Sequence, residues 1–264
     1  MKYFKFWIKE AYKIKINGAT KHINILAGSN ISKEDARDHA KKQALTIEQR
    51  ISSNKRKKDY EVPIKEHVEE IIDDNNIITI CRYGAKILNT TDYTILDLDD
   101  YAFDFFDIFK AVRKMPKKDR IVFKFLERLK KYPEIGNDFR IYETAKGIRV
   151  IGKNYVNPAI KSYQSLMRKF AVDWYYIIMS KKQNCYRARI TPKPYRMRIK
   201  TIKIRSPLDC ETKEYCDWVK NYELSAQKYC VVKHIKSIGR DFSSEPIIRL
   251  HDSICKASQV YKLA

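Results

Sequence analysis

The chain has 264 residues, of which 54 are Lys or Arg and 32 are Asp or Glu, so its formal net charge is +22. With 44% apolar residues and only 7 Gly and 8 Pro, the composition excludes a disordered protein or one built on long flexible linkers. One large domain, or one main domain with a small additional unit, is expected. The basic excess favours DNA or RNA as a partner, because Lys and Arg displace counterions from phosphates. A Lys-rich coding bias is the alternative explanation.

The cysteines and the N-terminus indicate where the protein resides. The six Cys form no Cys-x-x-Cys pair and have no His at zinc spacing, so reduced thiols are expected. The charged N-terminus is unlike a signal peptide, and no apolar run approaches the roughly 18 residues of a membrane span. We therefore expect a cytoplasmic protein with no membrane partner, whose oligomeric state the sequence does not give.

Two strands are predicted at the start of the chain. Residues 3–16 alternate apolar and charged side chains over much of their length, which is typical of a half-buried strand. Asn17 and Gly18 follow, a pair that favours a tight hairpin turn. Residues 22–27 then predict the second strand of a β-hairpin.

A helix follows this hairpin. Ser32 and Asp35 resemble a capping box, with Asp in place of the usual Glu. Residues 1–52 are therefore predicted to form a small hairpin-plus-helix unit. The polar and basic residues 52–59 are either a linker or a solvated helix end, and residues 60–264 form the main core.

Helices and strands alternate through the core, which is typical of an α+β or α/β plan. Strands are predicted at residues 77–82, 85–89, 94–98, 139–151 (a hairpin with Gly147 in its turn), 175–179, 185–190, 197–204 and 229–235. Helices are predicted at residues 63–73, 103–132 (with a break at Pro116), 158–169 and 244–257.

An acidic stretch interrupts this basic chain. Residues 87–109 contain six Asp and neither Lys nor Arg. On a strand, Asp97 and Asp99 share one face with their Cα atoms about 7 Å apart, a span that Mg²⁺ or Mn²⁺ can bridge. Such a pair can support phosphoryl or nucleotidyl transfer.

A strand end with solvated carboxylates is the alternative interpretation of this stretch. Asp-rich strand ends that lead into a helix are common and need no metal. Asp100 or Asp104 can cap the following helix, and Asp107 is assigned a surface role.

The densest basic segment covers residues 181–205, with ten Lys or Arg and no acid. Arg187 and Arg189 share one face of a predicted strand. Interleaved tyrosines such as Tyr195 offer flat faces for base stacking or anchorage in the core. Phosphate contact is favoured over a solvated surface, since forked guanidinium groups match phosphate oxygens. The nucleic-acid-binding candidates are Arg196, Arg198, Lys200 and Lys203, the first three on one face of the next predicted strand.

The turn of the hairpin at residues 139–151 is a further candidate. Thr144, Lys146 and Gly147 form a small-residue turn whose backbone N–H groups can meet a phosphate. The alternative is that Gly147 only supplies the positive φ that a hairpin turn needs.

The order of these motifs, over about residues 60–205, resembles the archaeo-eukaryotic primase superfamily, the primase-polymerases. Asp97 and Asp99 match its first acidic motif. Its second motif, Thr-x-x-Gly-x-His, resembles the stretch from Thr144, with Arg149 in place of the His. Asp173, after an apolar run, resembles the third acid. The departure at Arg149 matters, because the family's His contacts nucleotide phosphate.

The resemblance implies an α+β fold with a mixed, mostly antiparallel sheet core of the RRM-like type, flanked by helices. It implies a nucleoside triphosphate and Mg²⁺ or Mn²⁺ as ligands, with nucleotidyl transfer to DNA or RNA. The implied catalytic residues are Asp97, Asp99 and Asp173, with the metal on Asp97 and Asp99. The implied nucleotide-binding residues are Thr144, Lys146, Gly147, Arg149, Arg187, Arg189 and Lys193. A catalytically inactive nucleic-acid-binding module on the same fold remains the alternative.

Overall fold

The N-terminal part is a long hairpin packed on one helix. Strand β1 (Phe6–Ile16) pairs antiparallel with β2 (Ala19–Ser29), and helix α1 (Lys33–Ser52) follows. The computed structural model describes residues 1–16, 18–53, 63–101 and 111–264, except the side chains of residues 111 and 113. The predicted hairpin and helix are confirmed, and Gly18 has the positive φ (81°) of a tight turn.

Helix α1 begins as its sequence predicts. The side chain of Ser32 accepts a hydrogen bond from the backbone N–H of Asp35, as an N-cap does. The Asp35 carboxylate accepts instead from the Ser29 hydroxyl, so only one half of the capping box is formed. Small side chains let the helix lie close to the hairpin. The buried residues between them are Ile8, Ile14, Ile25, Ala27, Ala36, Ala40 and Ala44.

The rest of the chain builds two four-stranded antiparallel sheets. The first has the order β3-β4-β5-β9 and the second the order β11-β7-β8-β6. The strands of the first are β3 (His67–Ile71), β4 (Asn76–Ile80), β5 (Lys86–Thr90) and β9 (Tyr186–Arg189). Those of the second are β6 (Thr94–Leu98), β7 (Phe139–Thr144), β8 (Ile148–Gly152) and β11 (Val232–Ile238). A short parallel pair, β10 (Tyr229–Cys230) with β12 (Lys262–Leu263), lies beside them.

In the described residues five helices accompany these sheets, which makes the fold α+β with mostly antiparallel strands. They are α2 (Lys117–Lys131), α3 (Tyr163–Lys169), α4 (Trp174–Gln183), α5 (Lys213–Ala226) and α6 (Pro246–Cys255). One apolar core joins both sheets with side chains from α2, α3, α4 and α6. No helix in the described part of the chain is long and apolar enough to cross a membrane.

The two sheets meet at their edge strands β6 and β9. The hydroxyl of Tyr176 in α4 donates to the carbonyl oxygen of Ile95 at 2.9 Å and accepts from the backbone N–H of Arg187 at 3.3 Å. A single side chain therefore bridges the two edges, and the charged residues of β6 and β9 are brought close together.

Three predicted elements are wrong. Residues 63–73, predicted as a helix, contain strand β3. Residues 175–179, predicted as a strand, lie inside helix α4, because periodicity cannot distinguish a short apolar run in a helix from one in a strand. Residues 197–204 form no strand, since Pro194 opens a 3₁₀ turn and Arg198 at its end has φ 61°.

Other predicted boundaries need smaller changes. The strands at residues 77–82 and 85–89 correspond to β4 and β5, and the hairpin at 139–151 to β7 and β8. The final helix begins at Pro246 with Glu245, not Ser244, at its N-cap. Of the helix predicted at 103–132, α2 is confirmed, while residues 102–110 lie outside the described residues.

Candidate nucleic-acid interface

Asp97, the first predicted metal ligand, is held by an arginine. It lies in β6 directly opposite Arg149 in β8. Arg149 donates from Nε to Oδ1 at 2.8 Å and from Nη2 to Oδ2 at 3.1 Å. Burial alone would raise the pKa of Asp97, but the charge and hydrogen bonds of Arg149 outweigh it and lower that pKa. Both carboxylate oxygens are therefore engaged by one guanidinium group.

Arg149 itself is turned into the protein. Its side chain is 2% exposed, whereas that of Asp97 is 39% exposed. Its Nη1 donates to the carbonyl oxygen of Arg189 at 2.8 Å and lies 3.4 Å from Nε2 of His251, whose ring contacts Asp252. Arg149 thus ties together β6, β8, β9 and α6. Its guanidinium group faces protein groups, not solvent, which disfavours the predicted phosphate contact.

The other predicted acids do not complete a metal site. Asp99 is exposed beyond the end of β6. Asp173 accepts from the backbone N–H of Tyr176 at 3.0 Å and caps α4, which gives it a local role. Among the residues that the structure describes, no three His, Cys, Asp or Glu side chains are grouped so as to hold a metal ion. With Asp97 occupied by Arg149, these carboxylates do not fit the predicted metal site on Asp97 and Asp99.

The remaining acids of this stretch have separate outcomes. Asp100 is exposed and its carboxylate accepts from the backbone N–H of Tyr101. Asp104 and Asp107 lie outside the described residues.

The turn between β7 and β8 packs against the end of β6. A Cβ on Gly147 would lie 2.1 Å from the carbonyl oxygen of Leu98, so only glycine allows this close approach. Gly147 is not among the glycines with positive φ, and that part of its predicted role is wrong. Its backbone N–H donates to the Thr144 hydroxyl at 3.0 Å, so the turn satisfies its own polar groups. The neighbouring residue, Lys146, is exposed at the tip.

Arg187, near the start of β9, is neutralised by a distant acid. Its Nη2 forms an ion pair with Glu66, and the two side chains are 19% and 14% exposed. Glu66 also accepts from the hydroxyl of Thr79 at 2.6 Å, and Arg187 donates to Gln183 at 3.3 Å. These contacts are those of a structural ion pair and disfavour the predicted nucleotide contact.

Arg189, two residues further on and on the same face of β9, has no such partner. Its Nη1 donates to main-chain oxygens of Thr191 at 2.7 Å and Ala264 at 3.2 Å. Burial and the positive charge of Arg149 lower its pKa. No Asp or Glu side chain in the described part of the chain forms an ion pair with Arg189.

Two more cations are electrostatic neighbours of Arg189 and lie near an exposed ring. Nζ of Lys193 and Cζ of Arg196 each lie 5.8 Å from the ring centroid of Tyr195, which is 56% exposed. Burial, Arg189 and Arg196 lower the pKa of Lys193. Burial opposes ionisation of Tyr195, but Lys193 and Arg196 outweigh it and lower the phenol pKa. We call Arg189, Lys193, Arg196 and Tyr195 the cationic cluster.

Other predicted basic residues extend from this cluster. Arg198, Lys200 and Lys203 are exposed on the irregular segment that follows, not on a shared strand face. Lys146 is close enough to the Tyr195 phenol to help lower its pKa, so the hairpin tip lies beside the cluster.

Two sets of contacts were missed by reasoning from the sequence. Glu66, which neutralises Arg187, lies 121 residues away along the chain, and nothing in either segment signals the pairing. The adjacent pair His251 and Asp252, which reaches Arg149 from α6, has only the sequence signal of two neighbouring polar residues in an apolar helix.

Comparison of the chain with protein-family models, with curated proteins and with solved structures finds no match. The geometry of the described residues therefore carries the functional conclusion.

Proposed function

We propose that the protein binds nucleic acid through the cationic cluster, as a binding module without nucleotidyl transferase activity. The observation that carries this proposal is that Lys193 and Arg196 lie at one exposed aromatic ring with Arg189 as an electrostatic neighbour, and none of the three has an Asp or Glu ion pair in the described part of the chain. A polyanion can neutralise cations that lack such a partner.

The chemistry of the cluster fits a single strand. Proteins that bind single-stranded nucleic acid combine a basic groove for the backbone with aromatic side chains on which bases stack. Tyr195 offers such a ring, with Lys193 and Arg196 each 5.8 Å from its centroid. The exposed Arg198, Lys200 and Lys203 follow the cluster along the chain and add basic side chains that can bind phosphates.

The acids argue against catalysis. In the resemblance to primase-polymerases, Arg149 replaces a His, and in this structure Arg149 engages both oxygens of Asp97. A bound guanidinium replaces the positive charge that a metal would bring to that carboxylate. The replacement of His by Arg149 therefore explains physically how a protein of this fold can lose metal-dependent nucleotidyl transfer and keep nucleic-acid binding. Membership of that superfamily is part of the proposal.

Binding is tested by fluorescence anisotropy with a labelled 20-nucleotide single strand at several salt concentrations. The variant R189Q/K193Q/R196Q is compared with K213Q/K220Q/K228Q, which removes the same charge from exposed positions near and on α5. Loss of three phosphate contacts lowers affinity about fiftyfold at physiological salt, whereas the control should change little. Equal losses in the two variants would contradict a defined site.

Catalysis is tested on the same preparations with labelled nucleoside triphosphates and Mg²⁺ or Mn²⁺. We expect no incorporation into a primer or template. Incorporation by the wild type that disappears in Asp99→Asn would show that the protein is an enzyme and overturn the binding-only function.

A further inference from the structure

The hairpin of β1 and β2 has a solvent-facing side that the cationic cluster does not involve. Because strand side chains alternate, Lys9, Lys13 and Lys15 point away from α1, and all three are exposed. Opposite them on β2 are Leu26, His22 and Thr20. The ribbon face consists of Lys9, Ala11, Lys13, Lys15, Thr20, His22, Asn24 and Leu26.

Acids are excluded from this face. The single carboxylate of β1, Glu10, points to the helix side and pairs with Arg37 of α1 at 2.8 Å. Lys9, Lys13 and Lys15 form no ion pair with the described residues. On β1 the three lysines all lie on this side, whereas Lys21 of β2 lies on the helix side, opposite Ile14. A row of three lysines without a neighbouring carboxylate fits an anionic partner.

The shape of the ribbon face restricts that partner. Its lysines span about 20 Å along β1 at roughly 3.3 Å per residue. The two strands lie about 4.8 Å apart, and with side chains the ribbon fits the major groove of B-DNA, which is about 12 Å wide and admits a two-stranded β-ribbon. Between the lysines and the far edge lie Asn24 and His22, which can hydrogen-bond to base edges.

We propose that the ribbon face binds double-stranded DNA in the major groove, as a second nucleic-acid site independent of the cationic cluster. Lys9, Lys13 and Lys15 contact the phosphates of one groove wall. Asn24 and His22 face the bases. Helix α1 packs against the opposite side of the hairpin through Ala36 and the other small residues of its buried face.

The full chain is tested by anisotropy with a labelled 25-base-pair duplex and with its single strand. The ribbon variant K9Q/K13Q/K15Q is compared with K33Q/K41Q/K42Q, which removes the same charge from exposed positions on α1. The ribbon variant should lose about a hundredfold in duplex affinity at physiological salt, and its salt slope should fall by about 3. The α1 variant should retain both values. Equal losses in the two variants, or no loss in either, would overturn the proposal.

The groove and the strandedness are tested directly. Methyl green, which occupies the major groove, should compete with the protein, and the minor-groove ligand netropsin should not. Ala11→Glu, which places a carboxylate at the centre of the ribbon face, should weaken duplex binding at unchanged thermal stability. If netropsin competes instead, or if single-strand binding falls as much as duplex binding, major-groove binding is wrong.

The experiments can refute either proposed site without refuting the other. If R189Q/K193Q/R196Q leaves single-strand binding intact while the ribbon variant loses duplex binding, only the cationic cluster is refuted. The reverse pattern refutes only the ribbon face.

Discussion

Strand β9 carries two arginines on one face, two residues apart, with opposite surroundings. Arg187 forms an ion pair with Glu66. Glu66 also accepts a hydrogen bond from Thr79, and Arg187 donates one to Gln183. Arg189 lies beside Lys193 and Arg196 and donates to oxygens of Thr191 and Ala264. The comparison shows that a run of basic residues is not one functional unit. Glu66, from elsewhere in the chain, neutralises Arg187 and makes it part of the fold. Arg189 has no Asp or Glu ion pair among the described residues, so it is available to a ligand.

Removing Arg187 should give the largest loss of stability. Arg187→Gln leaves the largely buried Glu66 without its cation, and breaking a buried ion pair costs about 3–5 kcal/mol. Arg189→Gln loses hydrogen bonds to main-chain oxygens, at about 1 kcal/mol. Urea unfolding of both variants measures the difference. The double variant E66Q/R187Q should recover much of the loss, and a larger effect for Arg189→Gln than for Arg187→Gln would reverse the comparison.

The next prediction concerns Asp97→Asn, which removes the acid partner of Arg149 in β6, the strand that meets β9. We expect a loss of about 2 kcal/mol at pH 7, less than for a fully buried pair, because the Asp97 side chain is 39% exposed. Single-strand affinity should be retained, because the substitution removes a negative charge beside the cationic cluster. A metal-dependent site would instead lose its ligand binding.

The pH dependence of stability separates Asp97 from other acids. Its folded-state pKa lies below the usual value of 3.8, so the pair with Arg149 stabilises the protein above about pH 4. This contribution is lost as the pH falls through the folded-state pKa. Urea midpoints of wild type and Asp97→Asn should therefore differ at pH 7 and converge below about pH 4. A constant difference down to pH 3 would show that the carboxylate charge is not what stabilises the pair.

The smallest expected effect concerns the ring of Tyr195. Tyr195→Ala should weaken single-strand binding by about 1 kcal/mol, the lower limit for one stacked base, and Tyr195→Phe should restore it. Anisotropy at fixed salt measures both. If Phe binds as weakly as Ala, the hydroxyl rather than the ring makes the contact.

Alternation and turn residues predicted the hairpins correctly, because both depend on local sequence. Ile8 and Ile14 alternate with exposed lysines, and Gly147 permits a close turn. The short apolar run of α4 was assigned to a strand, since the capping role of Asp173 is visible only once the helix is known.

The site was predicted in part. The grouping of Asp97 with Arg149 follows from strand order, which a sequence does not give. The pairing of Arg187 with Glu66 depends on tertiary packing of segments far apart in the chain. The basic run after β9 was visible in the sequence, but which of its cations are neutralised was not.

The salt dependence of single-strand binding tests the central claim most directly. Anisotropy titrations between 50 and 300 mM salt would compare wild type, Arg189→Gln, the double variant E66Q/R187Q and the exposed control Lys220→Gln. We expect Arg189→Gln to reduce the slope of log K against log salt by about 0.7, the value for one phosphate contact on a single strand. The other two variants should keep the wild-type slope. If Arg189→Gln keeps the wild-type slope and E66Q/R187Q reduces it, the assignment of ligand binding to Arg189 is contradicted.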